Sequence, residues 1–235
     1  MPDPKEIFGN IPGGRVLDVA TGSGGFIQTL VESLQEYTEI IGIDTNERAS
    51  AAFSKAFKDT SNIHFEEMDA MHLDYPEASF DTVCISNSLH HFEQPQAVLT
   101  GMMRVLRPGG YLIMSEMYRD GQTETQNTHV LLHHWWAAVD RINGVVHRET
   151  FQREELVGLV DHLGLKEMAL FDLSDAETDP KNPEILAELT PVFERYLQRA
   201  EGHPGLQQRG EELRKRVAQI GFHSATTLVA RGIKK

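Results

Sequence analysis

The stretch "RVLDVATGSGGF", Arg15 to Phe26, constrains the fold of this chain more than any other. Its first half is an apolar run suited to a strand buried on both faces, and its second half is rich in glycine, which weakens helix and strand interiors alike. Behind the turn, "GFIQTLVESLQEY" sets Phe26, Leu30, Val31 and Leu34 on one helical face. Strand, glycine turn and helix in that order open a βαβ unit.

The alternation continues. "EIIGID" reads as a second strand, followed by the helix "TNERASAAFSKAFKD", which Thr45 or Asn46 is placed to cap. "NIHFEEMD" and "FDTVCISNS" are the third and fourth strands. "PQAVLTGMMRVL" is a helix stopped by Arg107-Pro108-Gly109-Gly110, and "GYLIMSEM" is the fifth strand. The rhythm breaks at residues 118–150, where a helix of about 127–143 occupies more chain than a tight crossover needs. A helix "QREELVGLVDHLGL" and a strand "LKEMALFDL" follow. Residues 174–221 then hold further helical patterns, and "FHSATTLVARG" alternates as a seventh strand. The expected fold is α/β: one domain over 1–235, a doubly wound, mostly parallel seven-stranded sheet with two helical insertions.

A formal net charge of −13 disfavours nucleic acid or an anionic membrane as the main partner. No apolar run reaches the roughly 18 residues of a membrane span, and the N-terminus lacks the pattern of an export signal. Cys84, the only cysteine, has no partner for an internal disulfide, which suits a reducing, cytoplasmic setting, and its place inside a strand pattern makes it a core residue. Oligomeric state leaves no mark in the sequence.

Open α/β sheets bind ligands outside the carboxyl ends of their strands, near the switch point beside the first strand. "ATGSGG" occupies that place. Gly22 and Gly24 tolerate positive φ and admit a ligand close to the backbone, and the next helix offers free N–H groups to an anionic group. With Ala20 in place of the first glycine, Ala20, Gly22 and Gly25 nearly match a dinucleotide fingerprint, with Asp44 at about the distance of a ribose-binding carboxylate. The turn alone therefore admits a nicotinamide cofactor or an S-adenosyl compound.

"VLDVATGSGG", "GIDTN", "MDAMHLDYPEASFD", "ISNSLHHF", "VLRPGGYLIMSE" and "ATTLVARG" occur in an order and spacing that resemble the class I S-adenosylmethionine-dependent methyltransferases, in particular the small-molecule branch that includes quinone-biosynthesis enzymes. The resemblance implies transfer of a methyl group from S-adenosyl-L-methionine to a small molecule by in-line displacement. It implies that Asp18 lies near the amino-acid end of the cofactor, beside Ala20, Gly22 and Gly24. Asp44, with Thr45 next to it, would accept from the ribose hydroxyls; Asp69 would accept from the adenine amino group and the Ala70 backbone would meet the ring. Ser86 follows the fourth strand, where methyl and acceptor should meet, and His91 is the better placed of the two histidines in "SLHHF". Two other readings stay open, a nicotinamide oxidoreductase and a sensor that binds the cofactor without an acceptor.

The resemblance leaves the acceptor's cover to the two insertions, since little chain precedes the first strand. In "NTHVLLHHWWAAVDRIN", Leu131, Trp135, Val139 and Ile142 share one face, while His129, His133 and Trp136 cluster on another. The second face is a candidate acceptor wall, with His133 and His91 as candidate catalytic groups and His129 and Trp136 as substrate contacts. His147 and Arg148 are open candidates for the same pocket. No metal is expected, because no recognisable motif adds a third ligand to the histidine pair.

Overall fold

The computed structural model describes residues 3–174 and 177–235. In chain order the elements are α1 (Pro4–Phe8), β1 (Arg15–Val19), α2 (Gly25–Ser33), β2 (Glu39–Asp44), α3 (Glu47–Ala56), β3 (Ile63–Glu67) and β4 (Phe80–Ser86). They continue with α4 (Pro95–Val105), β5 (Leu106–Met117), α5 (Glu124–Ile142), α6 (Arg153–Asp161), β6 (Lys166–Leu173), α7 (Pro183–Arg199), α8 (Pro204–Ile220) and β7 (Thr227–Ile233). Of the second expected insertion, 174–221, positions 175 and 176 lie outside the described residues.

The strands form one seven-stranded, mostly parallel sheet, as the alternating pattern predicts, in the order β3-β2-β1-β4-β5-β7-β6. β3 to β5 pair in parallel, and β7 runs antiparallel between β5 and β6. The order β3-β2-β1-β4-β5 is shared with dinucleotide-binding domains, and the antiparallel β7 departs from their six-stranded plan. The centre of the sheet is apolar on both faces because helices cover both. Val16 of β1 packs with Ile27 and Leu30 of α2, Phe53 of α3 and Phe8 of α1. Its neighbour Leu17 points to the opposite layer, with Leu99 and Met102 of α4 and Leu156 of α6.

Two boundaries shift from expectation for local reasons. β5 already begins at Leu106, but its register on β4 jumps from Phe80↔Leu106 to Thr82↔Tyr111, so Arg107–Gly110 bulges out between two paired stretches. α5 begins before residue 127 because Thr123 and Gln126 form a reciprocal capping box. Asn46, rather than Thr45, caps α3 by accepting from the Arg48 N–H.

A separate helical layer stands apart from the two sheet-covering layers. Leu132, Trp135 and Val139 of α5 pack with Leu189, Phe193 and Tyr196 of α7 and with Leu213 and Val217 of α8. The expected apolar stripe of α5 is therefore rotated: Leu132 joins Trp135 and Val139 inside, whereas Ile142 is exposed. The closest approach is at Gly210 of α8, where a Cβ would fall 2.4 Å from Trp135 Cζ2 and 2.7 Å from Leu197 Cδ2. Gly210→Ala is expected to lower stability by about 1–3 kcal/mol through overpacking, despite a gain of about 1 kcal/mol in helix propensity. Gly158→Ala in α6, where a Cβ would meet nothing within 4 Å, is expected to raise it by about 0.5–1 kcal/mol. Denaturant midpoints of the two variants check both signs.

Candidate functional site

β1 and β4 lie at the point where the strand order reverses, and a cavity of about 470 Å³ opens at their carboxyl ends. Asp18 of β1 and Ala20 and Thr21 of the glycine turn line it, with Ser86 at the end of β4, Asn87 after it and Phe8 of α1. The short N-terminal segment thus contributes a wall of this cavity. Ser88 ties the two turns together, its hydroxyl lying within hydrogen-bond reach of both the Ala20 and Ser86 carbonyls, at 3.2 and 2.8 Å.

The turn is more sharply wound than the sequence suggests. Ala20 is already left-handed at φ 55°, a conformation that costs an L side chain about 1–2 kcal/mol. Gly22, at φ 55°, has nothing within 4 Å of where a Cβ would stand, which leaves open space above the backbone. Gly24 does something different: at φ 86° its missing Cβ makes room for Phe57, whose Cε2 would lie 2.3 Å away. Its glycine is required by packing against the Phe53–Phe57 ring pair of the helix that follows β2.

Asp18 is buried, accepts from the Thr21 hydroxyl at 2.6 Å and lies 3.4 Å from the Cys84 thiol. Burial outweighs these bonds and pushes its carboxyl up to about 6. Cys84 is fully buried, and burial beside Asp18 pushes its thiol well above the ordinary range, so it is an inert core residue. Asp44 ends β2 and accepts from the Gly22 N–H through one oxygen and the Asn46 N–H through the other, each at 2.9 Å. Thr45 beside it is exposed. Asp69 is exposed and accepts from the Met71 N–H at 2.9 Å, a bond that lowers its pKa, while Ala70 is buried in the sheet core. Asp18, Ala20 and Ser86 therefore share a cavity wall, and Asp44 joins them through the Gly22 backbone. Asp69 and Ala70 stand apart on the loop after β3.

A second cavity, of about 440 Å³, shares Asn87 and Thr227 with the first. Its lining includes all four residues singled out for the acceptor: His91, His129, His133 and Trp136. His129 accepts from the Ala225 N–H at Nδ1, which puts its proton on Nε2, and burial pushes its pKa down to about 4. The Trp136 indole N–H is buried with no hydrogen-bond partner among the described residues. His91 is exposed, its ring 4.3 Å from those of His90 and His147.

His147, an open candidate from the sequence, and His90, which the sequence ranks below His91, complete this wall, each backed by a carboxylate. His90, the neighbour of the preferred His91, is buried and pairs through Nδ1 with Glu116 at 2.8 Å; Glu116 also accepts from the Leu89 N–H at 2.8 Å. His147 is buried and pairs through Nδ1 with Asp140 at 2.6 Å. Asp140 further bonds the Tyr196 hydroxyl and Arg199; burial works against its charge, but the bonds from His147 and Arg199 outweigh it and lower the pKa. Arg148 turns away, its guanidinium over the Phe151 ring. A glutamate inside the apolar run "LIMSEM" was the available signal for Glu116, since a charge in a buried strand needs a partner.

Comparison with known proteins agrees with this fold. A family model described as a methyltransferase domain matches residues 17–114. Over 103 residues the chain is 43% identical to a demethylmenaquinone methyltransferase of Deinococcus radiodurans, an alignment spanning 43% of this chain and 42% of that protein. It is 31% identical over 119 residues to a ubiquinone/menaquinone biosynthesis C-methyltransferase of Ectopseudomonas mendocina, covering 49% of this chain and 46% of that one. The chain thus spans less than half the length of these curated relatives. Among solved structures, a Haemonchus contortus phosphoethanolamine N-methyltransferase with bound S-adenosylhomocysteine superposes with a TM-score of 0.58 at 15% identity, over 99% of this chain and 52% of that one. The cyclase SpnF gives 0.63 at 18% identity, over 99% and 79%. These likenesses establish the fold, and SpnF indicates that the fold also carries other chemistry.

Proposed function

We propose that this chain, a member of the class I S-adenosylmethionine-dependent methyltransferases, transfers a methyl group from S-adenosyl-L-methionine to a small-molecule acceptor. The observation that carries the reading is the pair of adjoining cavities with Asn87 and Thr227 in common: one beside the glycine turn, the other walled by histidines and Trp136. Donor and acceptor bound in them would meet at that shared wall, and positioning with exclusion of water is most of what the reaction asks of a protein. The cofactor supplies a methyl already made electrophilic by its sulfonium.

The residues then divide the work. Asp18, Ala20 and the open backbone at Gly22 hold the amino-acid end, with Gly24 fixing the turn. Asp44, beside Thr45, receives the ribose; Asp69 and the Ala70 backbone receive the adenine. Ser86 stands near the transferable methyl. His91 and His133 meet the acceptor, and His129 Nε2–H and the unpaired Trp136 N–H donate to its oxygen atoms. Two donors suit an oxygenated ring such as a hydroquinone, the class to which the demethylmenaquinone methyltransferase relatives point. Helices from 118–150 and 174–221 cover this end, in a protein working in the reducing cytoplasm without nucleic acid or membrane as partner.

Calorimetry with S-adenosylmethionine, S-adenosylhomocysteine and NAD tests the cofactor: the first two are expected to bind and NAD is not. Asp44→Ala should weaken S-adenosylmethionine binding by about 1–3 kcal/mol, as loss of a partly buried hydrogen-bond partner. Unchanged affinity would remove Asp44 from the site. Release of S-adenosylhomocysteine on addition of demethylated hydroquinones tests the acceptor class, and silence across that panel with intact cofactor binding would favour a sensor.

A further inference from the structure

We propose that His90, His133 and His147 form a binding site for a divalent transition metal of the zinc class, at the wall of the acceptor cavity. The three histidines come from separate segments: the short turn Leu89–His91 after β4, the middle of α5, and the loop after it. The fold supplies the third ligand that the sequence pattern lacks, and it selects His90 and His147 as partners of His133 in place of His129.

The distances fit. His133 Nε2 lies 3.2 Å from His90 Nε2 and 3.3 Å from His147 Nε2, and ligand nitrogens from all three lie within 4.8 Å of one another. Nitrogens about 2.0–2.1 Å from one tetrahedral zinc ion stand about 3.3 Å apart. All three residues are buried, and His90, His133 and His147 all border the cavity, so a fourth position is available to a ligand from that side.

The protons make the same case. Glu116 and Asp140 accept at the Nδ1 atoms of His90 and His147, so the neutral rings carry their protons there and present lone pairs at Nε2. His133 Nε2 faces both lone pairs and can offer at most one proton. At least one of the two facing lone pairs is then left without a proton of its own in a buried site. Nor does the other tautomer help, because His133 Nδ1 has no partner among the described residues. A cation at the convergence point satisfies all three nitrogens at once. A carboxylate behind each of two ligating histidines is also the usual arrangement that orients such ligands and raises their basicity.

A metal here would accept an oxygen of the acceptor in its open position and favour that oxygen's deprotonated form. This role rests on the methyl-transfer reading; metal binding does not. The test is Co(II) titration of the purified, chelator-treated full chain, followed by visible absorption and metal analysis after dialysis. One Co(II) per chain with a tetrahedral-type spectrum, displaced by Zn(II), is expected. His133→Asn should abolish stoichiometric binding, and Asp140→Asn should weaken it roughly 10–100-fold. His203→Ala, at an exposed histidine far along the chain, should change nothing. Thermal melts show that each variant is folded, and added Co(II) should raise the melting temperature of the wild type and not of His133→Asn. Absence of stoichiometric binding, or equal binding by His133→Asn, overturns the site. S-adenosylmethionine calorimetry on the same samples separates the two readings: cofactor bound without metal overturns the metal site alone, and metal bound without cofactor upholds the site and overturns its part in methyl transfer.

Discussion

Glu116→Leu is expected to lower folding stability by about 2–6 kcal/mol, from two buried donors left without an acceptor at about 1–3 kcal/mol each. Glu116 is fully buried at the end of β5, and each of its carboxylate oxygens receives one donor, Leu89 N–H and His90 Nδ1. Leucine fills nearly the same volume but leaves both donors buried without an acceptor, so the loss is of hydrogen bonding rather than packing. Glu116→Gln keeps one carbonyl acceptor and should lose less, about 1–3 kcal/mol. Urea unfolding followed by circular dichroism reads both. If Glu116→Leu were as stable as wild type, Glu116 would not be what anchors the His90 turn to the sheet.

Glu116 also shows where the sequence was legible and where it was not. The central strands could be read because each is a local apolar run, and their pairing follows from the alternation with helices. The glycine turn could be placed for the same reason, since strand and helix flank it within a few residues. The histidine site had only half a local signature. His129 and His133 share a helical face, but the partners of His133 come from residues 43 and 14 positions away. Which of His90 and His91 turns inward depends on the buried carboxylate of β5, a strand contact no spacing rule reports. Gly24 takes the positive φ that its turn suggests, but a second demand on it was hidden for a related reason: the Phe57 ring that needs its space arrives from the end of α3 by tertiary packing. The reversal of β7 was hidden as well, because alternation in "FHSATTLVARG" marks a strand without giving its direction.

Affinity for S-adenosylmethionine is expected to fall about tenfold per pH unit below pH 6 and to level off above it. The cause is Asp18, whose carboxyl burial raises to about 6 and which lines the cavity at the amino-acid end of the proposed cofactor site. A cofactor ammonium binds the ionised form, so below that pKa each unit of pH removes a tenfold share of binding-competent protein. The same shift acts on the empty protein with the opposite sense. Folding favours the neutral carboxyl, so its contribution to stability is full below the ordinary value of 3.8 and is lost as pH rises through about 6. Above that, the charged, buried Asp18 costs the ligand-free protein about 3 kcal/mol, from roughly two pKa units at 1.36 kcal/mol each. Asp18→Asn retains the shape and can still accept from Thr21, but it cannot ionise. Without ligand it should therefore be more stable than wild type at pH 8 by up to about 3 kcal/mol, with the difference vanishing near pH 4. Its cofactor affinity should be weak and flat with pH. Denaturant melts and calorimetry at pH 5, 6, 7 and 8 would test both halves together. A variant that kept the wild-type pH slope in binding would assign that slope to another group, and one that was no more stable at pH 8 would show that Asp18 carries its charge there at little cost. The expected pattern would mark Asp18 as a residue held at a cost in stability for what it binds.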